Sequence, residues 1–74
     1  MNNRLEIGEQ IETTIVAIQN DSVFLDLSAK SEGIADTSDF LDKEGNLTVK
    51  EGDSVKVFFT GLVNGEMRFT AKIA

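Results

Sequence analysis

The sequence predicts an all-β domain, a five-stranded antiparallel barrel with a short helical turn between strands three and four. Three observations carry this. First, short segments alternate apolar and polar residues, as in Val23-Phe24-Leu25-Asp26-Leu27 and in Val55-Lys56-Val57, which is the period of a half-buried strand. Second, turn signals separate these segments at regular intervals, the strongest being Asn64-Gly65, two residues that both tolerate positive φ. Third, the pieces follow one another in a set order. The alternating segment is trailed closely by Lys30-Ser31-Glu32-Gly33-Ile34, then by Glu51-Gly52-Asp53-Ser54-Val55-Lys56-Val57, and finally by Met67-Arg68-Phe69-Thr70-Ala71-Lys72. Many short strands with such spacing favour a small closed barrel.

Taken in order, residues 1–7 read as a leader, and one domain occupies residues 8–74. Gln10 to Ile18 form the first strand, with Ile11, Thr13 and Ile15 on one face and Glu12 and Thr14 on the other. Gln19-Asn20-Asp21-Ser22 is a turn by composition. Val23, Leu25 and Leu27 then point inward, while Phe24 and Asp26 point outward. A short third strand runs from Gly33 to Asp36. Thr37-Ser38-Asp39-Phe40-Leu41 reads as a helical turn, capped by Thr37 or Ser38, with Asp39 suited to its first turn and Phe40 plugging the barrel end. Asp42 to Asn46 form a polar loop with Gly45 at its left-handed position. Leu47 and Val49 lead to the turn Lys50-Glu51-Gly52-Asp53. Val55, Val57 and Phe59 point inward on the fourth strand. Beyond Asn64-Gly65, Met67 and Phe69 point in, and Arg68 and Thr70 point out. Five strands with one helical turn in this place describe an OB-type barrel.

Composition narrows the function. The 74 residues suffice for one domain near the lower size for unstapled folding. There is no Cys and no His, so disulfides, thiolate sites and imidazole ligands are excluded. No apolar run approaches a membrane span, and the N-terminus lacks a signal-peptide profile, which points to a cytoplasmic protein that does not engage membranes. Catalysis is not expected either: no His, Cys or Tyr is present, and the carboxylates sit on exposed turns. No cofactor is called for. Seven basic residues against thirteen acidic ones give a net charge of −6, so any nucleic-acid site must be a local patch working against the overall field.

The residues resemble a family, the S-one motif, an OB-fold RNA-binding domain named for the largest protein of the bacterial small ribosomal subunit. The matching pieces are Gly8…Ile15-Val16-Ala17-Ile18, Val23 to Leu27, Lys30-Ser31-Glu32-Gly33-Ile34 through Ser38, Gly52 to Val57, and Met67-Arg68-Phe69-Thr70. The Lys-Ser-Glu-Gly string, with Gly45 to Asp53 downstream, looks most like that protein's amino-terminal repeats. The resemblance therefore implies one repeat of a longer, translation-related protein. It also implies a binding face on strands two, three and five, where an aromatic stacks a base and a basic residue meets the backbone. Carried over by position, Phe24 is the stacking ring, Arg68 the outward basic residue, and Lys30 a charge in the loop leaving strand two. Asp36 stands where RNA-binding members often have His, and Asp21 or Ser22 stands where they often have a second aromatic.

Each candidate has a structural reading beside the functional one. Phe24 either stacks a base or packs against a loop or chain end. Phe58, outward on strand four, either anchors a partner or is covered by the helical turn or a terminus. Arg68 either meets a phosphate or pairs with Asp26 or Asp36. Asp36, Asp39, Asp42 and Glu44 lack the spacing of a calcium loop and read as a solvated acidic run, so no metal site is expected. The expected site is thus Phe24, Lys30, Asp36 and Arg68, binding single-stranded RNA weakly as a monomeric domain. The alternative is protein docking, anchoring an S-one-like protein to a ribosomal protein of the small subunit or to a neighbouring repeat.

Overall fold

The structure, a computed structural model of the chain, describes residues 5–27 and 31–71. Five strands form: β1 (Gln10–Gln19), β2 (Ser22–Asp26), β3 (Glu32–Asp36), β4 (Ser54–Val63) and β5 (Glu66–Thr70), with a 3₁₀ turn at Thr37–Phe40. They close into a barrel in the order β1-β2-β3-β5-β4. All-β content, closure and the single helical turn follow the sequence expectation. One point is corrected: the barrel is mixed, not purely antiparallel, because β3 and β5 run parallel, with Gly33 opposite Met67, Ile34 opposite Arg68 and Ala35 opposite Phe69. The reason is parity. Strand direction must alternate at every antiparallel step, and a closed ring of five strands cannot alternate all the way round.

Two long strands make closure possible. β1 pairs with β4 through Gln10–Thr14 and with β2 through Ile15–Gln19, and its register shifts between Ile15 and Ala17. β4 shifts likewise between Phe59 and Gly61, where Gly61 takes φ 137, a conformation that side chains disfavour. Such bulges bend a strand so that it can serve two neighbours. At Asn64 (φ 52) and Gly65 (φ 81) both central residues are left-handed, which is the twist-matched two-residue hairpin that the dipeptide predicts.

The inward faces are those the alternation assigns. Ile15, Val23, Leu25 and Val57 are fully buried, joined by Ala35, Phe59 and Phe69, and Phe40 closes one end from the 3₁₀ turn. The rings of Phe59 and Phe69 meet at 5.4 Å and 56°, a tilted aromatic pair. Thr13, the one buried polar side chain among the described residues, donates its hydroxyl to the Asp26 carbonyl.

The 3₁₀ turn departs from expectation at its cap. Asp36, not Thr37 or Ser38, holds the N-cap position, and no side chain caps it. The Thr37 N–H instead donates to the Asp21 carbonyl at 2.9 Å, so the backbone has already satisfied that donor. Asp39 turns outward to β5. Its carboxylate accepts from the Thr70 hydroxyl at 2.7 Å and from the Ala71 N–H at 3.3 Å, tying the turn to the end of the last strand.

Candidate nucleic-acid interface

Strand pairing brings three outward residues into one row. Phe24 on β2 lies opposite Ile34 on β3, and Ile34 lies opposite Arg68 on β5. All three are half-buried. Two strand spacings, about 10 Å, separate the backbones of Phe24 and Arg68. The row exists because period-2 alternation turns Phe24, Ile34 and Arg68 outward while Val23, Leu25, Ala35 and Phe69 turn in. Ile34 is the member that the expected site lacks. Its signal was present, since it sits between Gly33 and Ala35, small residues that both face the interior.

Asp36 is exposed on the same face, paired with Ser22 and two residues along β3 from Ile34. On the other side of the row, Asp26 of β2 lies directly opposite Glu32 of β3, two exposed like charges in register. Lys30 lies outside the described residues. Arg68 does not pair with Asp26 or Asp36 as one reading expected. Its Nη1 lies 3.3 Å from Glu66 Oε1 in an exposed ion pair. Geometry decides this: Glu66 is two residues back on β5 and so faces the same way, whereas β3 stands between Arg68 and Asp26. An apolar and aromatic centre thus carries one guanidinium and is bordered by Asp26, Glu32, Asp36 and Glu66.

Phe58 is half-buried on the outer side of β4, between Gln10 of β1 and Thr70 of β5. Among the described residues, no group of three or more carboxylate, His or Cys side chains is placed to hold a metal ion. No helix among them is long and apolar enough to cross a membrane.

Comparison with known proteins fits this geometry. No protein-family model matches the chain. Small ribosomal subunit protein bS1 of Neisseria meningitidis serogroup B (strain ATCC BAA-335 / MC58) is 36% identical over 58 residues, which cover 78% of this chain and 10% of that protein. The chain therefore spans about a tenth of the curated relative's length. Among solved structures, a chain of the a/eIF2alpha–aDim2p–rRNA complex from Pyrococcus horikoshii OT3 superposes with a TM-score of 0.77 at 21% identity, covering 95% of this chain and 46% of that one. GSP13 from Bacillus subtilis superposes with a TM-score of 0.74 at 16% identity, covering 92% and 56%. At those identities the likeness is one of fold. The barrel order, the single turn between β3 and β4 and the likeness to bS1 together make this chain a member of the S-one-type OB-fold domains.

Proposed function

We propose that the domain binds single-stranded RNA weakly, as one cytoplasmic, non-catalytic module of a translation-related protein. The observation that carries this reading is the row Phe24–Ile34–Arg68 on the outer face of β2, β3 and β5. A base stacks on Phe24, with Ile34 extending the apolar floor, and Arg68 meets a phosphate. Such stacking is worth about 1–3 kcal/mol per base and tolerates any sequence. Lys30 adds charge from the loop, and Asp36 flanks the path. The relative's name, that of a small ribosomal subunit protein, supports a place in translation. Affinity is weak because the platform has one ring and its cation is already paired with Glu66. Sister domains on a longer chain would supply avidity.

A second reading, docking to a basic protein of the small ribosomal subunit or to a neighbouring repeat, draws support from one observation. Asp26, Glu32, Asp36 and Glu66 all border the same face, and together they repel phosphate and attract cationic protein. An NMR titration of the labelled domain with short uridine-rich RNA at low salt separates the two. Shifts at Phe24, Ile34, Asp36 and Arg68 that fade with salt support RNA binding. Their absence at millimolar RNA rejects it and leaves the docking reading.

A further inference from the structure

A second surface lies at the end of β4, one strand beyond Arg68 and, counted through β3 and β5, three strands from Phe24. β4 pairs with β1 only as far as Phe58, while its other edge stays with β5 to Val63. The chain before β1 follows β4 one step further, Gly8 N–H donating to the Phe59 carbonyl at 2.7 Å and Phe59 N–H to the Glu9 carbonyl at 2.9 Å. It then leaves. A turn closed by the Glu9 N–H on the Glu6 carbonyl at 2.8 Å carries it off the strand, and Leu5 packs against the barrel core. Among the described residues, no strand pairs with the edge of β4 at Gly61, Leu62 and Val63.

That edge is apolar. Leu62 is 67% exposed and Val63 52%, and Ile7, at the turn and close over Gly61, is 75% exposed. These are the three most exposed large hydrophobic side chains among the described residues. An unpaired strand end carrying apolar side chains is a template for strand addition. The surrounding charge selects the occupant. Glu66 faces Val63 across the hairpin, Glu6 and Glu9 bracket Ile7 in the turn, and Arg68, the cation opposite Gly61 among the described residues, is paired with Glu66. Phosphate-bearing ligands are disfavoured there. A second copy is disfavoured too, since it would bring the same carboxylates and another net charge of −6 to the contact.

We propose that the Gly61–Val63 edge of β4 receives an extended, basic segment of a partner protein, with apolar residues set between its lysines or arginines. The segment adds a strand to β4. On the face that Leu62 occupies its apolar residues cover that side chain, and on the alternate face, which Val63 shares with Glu66, its cations meet Glu66 and, beside Ile7, Glu6 and Glu9. This surface shares Arg68 and Glu66 with the rim of the proposed RNA face but uses neither Phe24 nor Ile34, so shifts at those two residues distinguish the readings.

The test uses the whole chain, isotope-labelled, and a short peptide alternating lysine and valine. Expected are shift changes at Ile7 and Gly61–Val63, backbone contacts from peptide to β4, and weakening as salt rises. Leu62→Lys, at an exposed position, should leave the remaining spectrum unchanged and weaken peptide binding about tenfold. Overturning results are no shifts at millimolar peptide, equal binding of a matched glutamate–valine peptide, or shifts confined to Phe24 and Asp36. Sedimentation showing a dimer that Leu62→Lys dissolves would assign the edge to a second copy and equally overturn the proposal.

Discussion

Replacing Gly33 with Ala tests the tightest packing in the barrel. Gly33 is buried on β3, and the ring of Phe69 lies across it. A Cβ built there falls 2.7 Å from Phe69 Cδ1, nearer still to Cε1, and 3.2 Å from Leu27 Cδ1. Carbon atoms at rest sit about 3.5–4.0 Å apart, so the ring must move by roughly 1 Å. It has little room to do so, being 4% exposed and packed at a tilt against Phe59 at 5.4 Å. Overpacking of this kind costs about 1–3 kcal/mol. Restricting the unfolded chain with Ala returns about 0.4–1 kcal/mol, leaving a net loss of roughly 1–2 kcal/mol. For a domain of this size that lowers Tm by roughly 5–15 °C. Thermal and urea unfolding followed by circular dichroism give the number. Phe69→Leu should then cost less in the Gly33→Ala background than alone, since the shorter side chain makes room for the methyl group. A Gly33→Ala protein with an unchanged or higher Tm would refute the claim that Phe69 fills the space over Gly33.

Other outcomes follow from the outer face and the 3₁₀ turn. Phe24→Ala should weaken RNA binding about tenfold, within the range for loss of one stacked base, and Arg68→Glu should weaken it and flatten its salt dependence; both are read by NMR titration. Glu66→Gln frees the Arg68 guanidinium and should tighten RNA binding about two- to fivefold, the range expected for an exposed ion pair, with a steeper salt dependence. Asp36→His removes a carboxylate from the same face and adds a stackable ring, so affinity in the same titration should rise. Asp39→Ala leaves the Thr70 hydroxyl and the Ala71 N–H without their shared carboxylate and should lower stability by about 1–2 kcal/mol in urea unfolding. Hydrogen exchange should rise first at the end of β5.

Several elements were legible because their causes are local. The side-chain period of a strand is two, so Val23, Leu25 and Val57 could be assigned inward, and Phe24 and Arg68 outward, without knowing any strand's neighbour. Asn64-Gly65 declared its hairpin because the φ values are a property of those two residues. Arg68's partner was misjudged for the opposite reason. Only Asp26 and Asp36 were weighed, whereas strand order places β3 between Arg68 and Asp26 and the partner is Glu66 on the same strand. Ile34 was passed over because its worth to the site lies in standing opposite both Phe24 and Arg68, which is a fact about register. Asp39 suited a helix start by composition. Its actual partner, Thr70, comes within reach only when β5 returns beside β3.

By itself the sequence determined which residues face inward, where the chain turns, and that five strands share one core, since alternation and turn chemistry act between neighbours along the chain. The tertiary structure alone decided the parallel β3–β5 pair, the place of Ile34 between Phe24 and Arg68, and the end of β4 with which no strand pairs among the described residues. The first follows from closing a ring with an odd number of strands and the others from strand order and register, conditions that no single segment carries.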